Sequence, residues 1–143
     1  MSLENLETEI NYTFKNKNLL QEALTHRSYL NENKNWKLPH NERLEFLGDA
    51  VLELITTQYL FERFKDQEEG ELTAYRSALV SAPSLAQVAH KLKLDDFILL
   101  SKGEKGNNLK AKNEILGNAF EALIGAIYLD GGYPNAKKFI IKN

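Results

Sequence analysis

Apolar positions recur at spacings of three and four along almost the whole chain, which is the period of a helix rather than the alternation of a strand. Leu3, Leu6 and Ile10 predict a helix over 3–11, and Leu19, Leu20, Ala23 and Leu24 another over 18–29. The polar run 31–41 (NENKNWKLPHN) reads as a loop whose Trp36 and Leu38 tuck against the body, with Asn41 as N-cap of the next helix. The longest periodic segment is 42–64. Residues 65–70 predict a turn punctuated by Gly70, and 71–80 a short helix with Leu72, Tyr75, Leu79 and Val80 inward. Pro83 marks a break over 81–84, and helix resumes over 84–92. The run Phe97 to Leu100 is too short to assign by period. Residues 101–113, rich in Gly, Asn and Lys, predict a loop. A strongly apolar helix spans 114–129 and is ended by Gly131 and Gly132, with Pro134 beyond. A last helix starts near Asn135 and is cut short at Asn143. The expected fold class is all-α, in one domain without repeats or linkers.

Two of these helices carry unusual faces. In 42–55 (ERLEFLGDAVLELI), Leu44, Leu47, Val51, Leu54 and Ile55 form one side, and Glu42, Glu45, Asp49 and Glu53 the opposite one. A solvated acidic face normally intersperses bases, yet none of these four acids has a Lys or Arg three or four residues away. Phe46 sits beside the acids rather than in the apolar stripe, which implies that this face meets something other than water. The later helix repeats the design: Leu116, Phe120, Leu123, Ile124 and Ile127 form the buried stripe, and Glu114, Asn118 and Glu121 the other side. Gly125, one turn past Glu121, serves either tight helix packing or the close approach of a ligand. If the two helices pack side by side, Glu45, Asp49, Asn118 and Glu121 point into one space. Three carboxylates and an amide oxygen there would require a cation, and hard oxygen donors favour Mg²⁺ or Mn²⁺ over zinc. Such an ion would lower the pKa of a bound water and orient a phosphate. His26, His40 and His90 lie in three segments without ligand spacing and read as packed or surface histidines.

Composition narrows the chemistry further. The chain has 143 residues and no cysteine, which excludes disulfides, thiolate metal sites and a cysteine nucleophile. Eighteen basic against 20 acidic residues give a net charge of −2, so any binding of phosphates must rest on a local patch. No apolar run approaches the roughly 20 residues that span a bilayer, and the acidic N-terminus lacks a signal region. A cytoplasmic protein is the expectation.

The segment HNERLEFLGDAVLE, residues 40–53, closely resembles the signature motif of the ribonuclease III endonuclease domain. LLQEALTHRSY (19–29), EEGELTAYRSALV (68–80) and ILGNAFEALIGAIYLDGGY (115–133) resemble further blocks of that family in the family's order. The resemblance implies an all-helical homodimer whose subunits form a valley for double-stranded RNA. It also implies Mg²⁺-dependent phosphodiester hydrolysis, with Mn²⁺ as substitute, leaving 5′-phosphate and 3′-hydroxyl ends with a short 3′ overhang, as in processing of ribosomal and messenger RNA. By position, Glu45, Asp49 and Glu121 match metal-ligand carboxylates, Glu42 and Glu69 two further acidic positions, and Phe46 an aromatic of the dimer interface. Asn118 departs from the family pattern, which has Asp there. An amide offers one neutral oxygen, so weaker metal binding and slower cleavage are the expected consequences. The alternative is a catalytically silent member that binds structured RNA or serves in a ribonucleoprotein. The family's C-terminal double-stranded-RNA-binding domain is absent, so the chain reads as a nuclease domain, 1–143, cut from a longer protein.

A duplex binder needs cations placed for phosphates, and RNA duplexes are read largely by shape. The candidates are Lys102, Lys105, Lys110 and Lys112 in the Gly/Asn-rich segment, with Arg76 and Arg27 behind them.

Overall fold

The computed structural model describes residues 2–143. Its helices are α1 (Leu3–Ile10), α2 (Lys17–Ala23), α3 (Arg27–Glu32), α4 (Glu42–Arg63), α5 (Glu69–Leu79), α6 (Ala82–Lys91), α7 (Lys102–Lys105) and α8 (Leu109–Lys142), with a 3-10 turn at Leu94–Asp96. The extended structure among the described residues is one parallel bridge between Thr25 and Leu99. The fold is all-α, as the periodicity predicts. The bridge also accounts for the unassigned run at 97–100: the Leu99 N–H donates to Leu24 O at 2.8 Å, and the His26 N–H to Leu99 O at 3.0 Å.

The architecture centres on α8. Between Ile115 and Ile127 every residue but Asn118 is buried, because apart from Asn118 and Glu121 this stretch is apolar and therefore runs through the core. α4 packs along it most extensively, and α6 and α2 cover its other sides. The expected buried stripe of α8 holds at all five positions. That of α4 holds at Leu44, Val51 and Ile55, with Leu52 and Leu60 added, but Leu54 is 58% exposed. α5 departs more: it has no buried residue, and Leu79, expected inward, is 52% exposed. It is tethered to α4 by contact of Phe64 with Tyr75 and by Arg76, not by a core-facing stripe.

Several helix ends lie outside the predicted bounds. α5 begins at Glu69 because Glu68 and Glu71 form a reciprocal capping box, so Gly70 is helical instead of a turn residue. Ser81 caps α6, and Pro83 falls in its first turn, where a missing N–H costs nothing. The 18–29 segment splits at Thr25–His26 into α2 and α3. Much of the predicted loop 101–113 is helical: Ser101 caps α7, and Asn108 caps α8, which begins at Leu109, five residues before the expected start near Glu114. At the other end α8 leaves helical geometry at Gly132 (φ 80°, ψ 178°), a conformation that suits glycine, and continues past Pro134.

Asn41 does not cap α4 with its side chain. Only 3% exposed, it donates from Nδ2 to Ala23 O at 3.0 Å, and its backbone N–H donates to Thr25 O at 2.9 Å. The amide therefore ties the start of α4 to the end of α2, while His40 Nδ1 accepts the Glu42 N–H at 3.4 Å. Trp36 does tuck in, edge-on to Tyr29 at 5.3 Å.

The C-terminal half of α8 is tied to the loop after α1 through Asp130. Its carboxylate accepts the Tyr12 hydroxyl at 2.6 Å and the N–H groups of Lys15 and Asn16 at 2.9 Å. Burial pushes this carboxyl up, but the three hydrogen bonds and the Lys15 charge outweigh it and hold it below its usual range. Asp130→Ala is expected to cost about 2 kcal/mol, since hydrogen bonds to a charged group contribute roughly 1.5–3 kcal/mol. Urea unfolding checks this. A folded value below 3.8 means that this stabilisation is present above pH 3.8 and is lost as pH falls through the lowered value.

Candidate functional site

The site lies where α4 crosses α8, and glycine makes the crossing possible. A Cβ placed on Gly48 would lie 1.6 Å from the Glu121 carbonyl oxygen and 2.9 Å from the Gly125 nitrogen. One on Gly125 would lie 2.4 Å from the Leu44 carbonyl oxygen. The two backbones are thus in direct contact, which decides between the two roles of Gly125 in favour of helix packing. Gly48 was missed by sequence reasoning, although a glycine inside a long helix, flanked by the site's own acids, was the available signal.

Close contact brings the acidic faces together. Glu42, Glu45, Phe46 and Asp49 from α4, and Asn118 and Glu121 from α8, line one open cleft of about 580 Å³. A smaller pocket of about 160 Å³ adjoins it, sharing Asp49, Asn118 and Glu121 and adding Asn113 and Glu114. Glu42 and Asp49 are exposed and Glu45 half-buried, while Glu121 is only 8% exposed. Phe46, 83% exposed, projects from the rim.

Charge is poorly compensated here. The ion pairs among the described residues leave Glu45, Asp49 and Glu121 without a basic partner. Burial first, then hydrogen bonding to Asp49 and the charges of Asp49 and Glu45, push the Glu121 carboxyl up to about 8. Glu45 is also raised, by burial and then by the charges of Glu42, Asp49 and Glu114. At neutral pH Glu121 therefore keeps its proton and can donate it to the Asp49 carboxylate. A divalent cation would relieve the same crowding by displacing that proton, and an all-oxygen donor set fits a hard ion. Among the described residues no three acidic or histidine side chains already stand in a metal-holding arrangement.

The remaining sequence candidates are spread over other elements. Glu69 sits exposed at the first turn of α5 and does not line the cleft. Glu53 also lies apart and pairs with Arg76 at 3.5 Å, while Arg76 donates to Thr57 at 3.0 Å. Arg27 pairs with Glu42 at 3.4 Å. Two of the proposed phosphate contacts are thus engaged with acids. Lys102 and Lys105 lie on α7, and Lys110 and Lys112 on the first turns of α8, not in a loop. The histidines serve hydrogen bonds: His26 caps α3, His40 meets Glu42, and His90 Nε2 lies 2.8 Å from Asn113 Oδ1.

Comparison with known proteins shows the family. The profile of a family described as Ribonuclease-III-like matches residues 16–143. The chain is 50% identical over 138 residues to a protein named Ribonuclease 3 from Oleidesulfovibrio alaskensis, covering 96% of this chain and 60% of that protein. A Ribonuclease 3 from Caldanaerobacter subterraneus is 49% identical over 136 residues, covering 95% and 59%. The chain thus spans about 60% of the length of these curated relatives. Among solved structures, the nuclease domain of ribonuclease III from Campylobacter jejuni matches with a TM-score of 0.89 at 48% identity, covering 99% of this chain and 94% of that one. That structure is described for flexibility in the region involved in dimer formation.

Proposed function

The chain belongs to the ribonuclease III-like family, and from that premise we propose that it is the nuclease domain of a divalent-metal-dependent endoribonuclease acting on double-stranded RNA. The observation that carries this reading is the meeting of Glu45, Asp49, Asn118 and Glu121 in one cleft between α4 and α8. Glu45, Asp49 and Glu121, with the Asn118 amide oxygen, would hold Mg²⁺ or Mn²⁺. When bound, such an ion activates water near neutral pH and offsets charge on the phosphate under attack. Glu121 would serve as a ligand in its deprotonated form, so its affinity for such an ion would rise with pH toward about 8, the value to which burial and the neighbouring acids push its carboxyl. The products would be 5′-phosphate and 3′-hydroxyl ends.

The exposed Phe46 beside the cleft supports a homodimer, in keeping with the dimer-forming region described for the Campylobacter jejuni domain. The exposed Lys102, Lys105 and Lys110, with the half-buried Lys112, supply the uncommitted cations for RNA phosphates, ahead of the paired Arg27 and Arg76. Among the described residues no helix is long and apolar enough to cross a membrane, which accords with a cytoplasmic RNA enzyme. The missing charge at Asn118 favours the second reading, a silent RNA-binding member.

Cleavage of a fully paired RNA in Mn²⁺ separates the two. The chain is expected to cut slowly, and Asn118→Asp to cut about tenfold faster, at the low end of the 10–100-fold that small changes around a metal typically produce. No cutting by either protein, with duplex binding retained, would establish the silent reading.

A further inference from the structure

One acidic side chain beside the cleft has no role in the family resemblance. Glu114 lines the smaller pocket together with Asp49, Asn118 and Glu121. It lies one turn before Asn118 and two turns before Glu121, hence on the same face of α8. We propose that Glu114 supplies, from one turn upstream, the negative charge that Asn118 withholds, so that a divalent cation between α4 and α8 is held by Glu45, Asp49, Glu121 and Glu114, with Asn118 adding only a neutral oxygen. The proposal rests on the metal-dependent reading above and concerns which carboxylates of this chain complete the site.

Three observations carry it. Glu121 is 8% exposed, faces both pockets, and has neither an ion-pair partner nor a hydrogen bond from a neutral or basic donor among the described residues. Glu121 so placed has no positive charge beside it, and the two pockets together are the space in which a cation would meet it. Glu114 is likewise uncommitted: although α8 begins early enough to put Lys110 one turn before it, the two form no ion pair. Finally, the contact between His90 and Asn113 at 2.8 Å pins this turn of α8 to α6. The backbone at 114 is therefore fixed, and its exposed side chain lines the pocket without a partner of its own.

The test is Mn²⁺ binding to the whole chain, read by electron paramagnetic resonance of free Mn²⁺ and by calorimetry, in a cycle of E114Q and N118D. E114Q is expected to weaken Mn²⁺ binding about tenfold in the native chain. In the N118D background, where the charge is restored on α8, the same change should cost less than about threefold, the signature of coupled sites. Glu114 is exposed, so E114Q should unfold at the native midpoint when metal is absent. An unchanged affinity in the native chain, or equal losses in both backgrounds, would overturn the proposal. Mn²⁺ binding by N118D but not by the native chain would overturn it too, while leaving the metal-dependent reading intact. Failure of both to bind would remove that reading as well.

Discussion

Gly48→Ala should destabilise the protein by about 3–4 kcal/mol and weaken the proposed binding of Mn²⁺. The added methyl would sit 1.6 Å from the Glu121 carbonyl oxygen and 2.6 Å from its carbonyl carbon, both backbone atoms that no rotamer change can move. Relief requires α4 and α8 to separate, and these helices share the largest packing surface of the fold. Overpacking with backbone shifts typically costs about 1–3 kcal/mol and occasionally more; a 1.6 Å approach to backbone lies beyond that range, at about 4–5 kcal/mol, from which the helix propensity gained on replacing Gly by Ala takes about 1 kcal/mol. Separation would also part Glu45 and Asp49 from Asn118 and Glu121, so any fraction that folds should bind Mn²⁺ poorly. Gly70→Ala provides the contrast, since nothing lies within 4 Å of a Cβ there. It should stabilise the protein by about 0.5–1 kcal/mol through propensity alone. Urea midpoints of the two variants should therefore move in opposite directions. Native stability for Gly48→Ala would show that the helices do not cross as closely as described.

Glu121→Gln should strengthen the metal-free fold at alkaline pH while removing function. A carboxyl whose folded value, about 8, exceeds its ordinary 4.5 holds a proton in the folded state that the unfolded chain has released. Its contribution to stability is therefore fully present below pH 4.5 and is lost progressively as pH rises, until it levels off above 8. At about 1.4 kcal/mol per pH unit, the interval sets a ceiling of about 5 kcal/mol, and side-chain relaxation toward the open cleft should leave about 2–4 kcal/mol to be measured. Glutamine keeps the shape and cannot ionise. In EDTA the variant should match the native chain near pH 4.5 and exceed it at pH 9 in urea unfolding. Mn²⁺ should reverse the order at pH 9, because it stabilises the folded native protein by mass action and the variant little. Cleavage by Glu121→Gln should fall by at least about 100-fold, beyond the 10–100-fold typical of losing an outer partner of a metal. A variant with the native pH dependence of stability would show that Glu121 is not crowded by Asp49 and Glu45.

Both results trace back to one physical arrangement: acids are forced together by a backbone contact that packing demands. The same packing that buries α8 buries Glu121 beside Asp49 and Glu45, so the contact that stabilises the fold also crowds the acids of the candidate site. Natural sites often carry such a conflict between stability and function.

Much of this was legible along the chain. A helix is made by residues within four positions of each other, so its presence, its apolar stripe and its acidic face are all written locally. The all-α class, the buried stripe of α8, the departure from helix at Gly132 and the paired acidic faces of α4 and α8 are consequences of that local code. Family membership was legible as well, since the blocks around Glu45 and Glu121 stand in family order. What the local pattern left undecided is which faces meet. Only the fold shows that Gly48 and Gly125 touch across α4 and α8, and that Leu54 faces solvent although it belongs to an apolar stripe. It alone places Glu69 outside the cleft and pairs Glu53 with Arg76. Asn41 is the clearest case. Its sequence position suits a cap, yet its amide is drawn to Ala23, eighteen residues away, because a buried polar group takes the partner that three-dimensional packing provides.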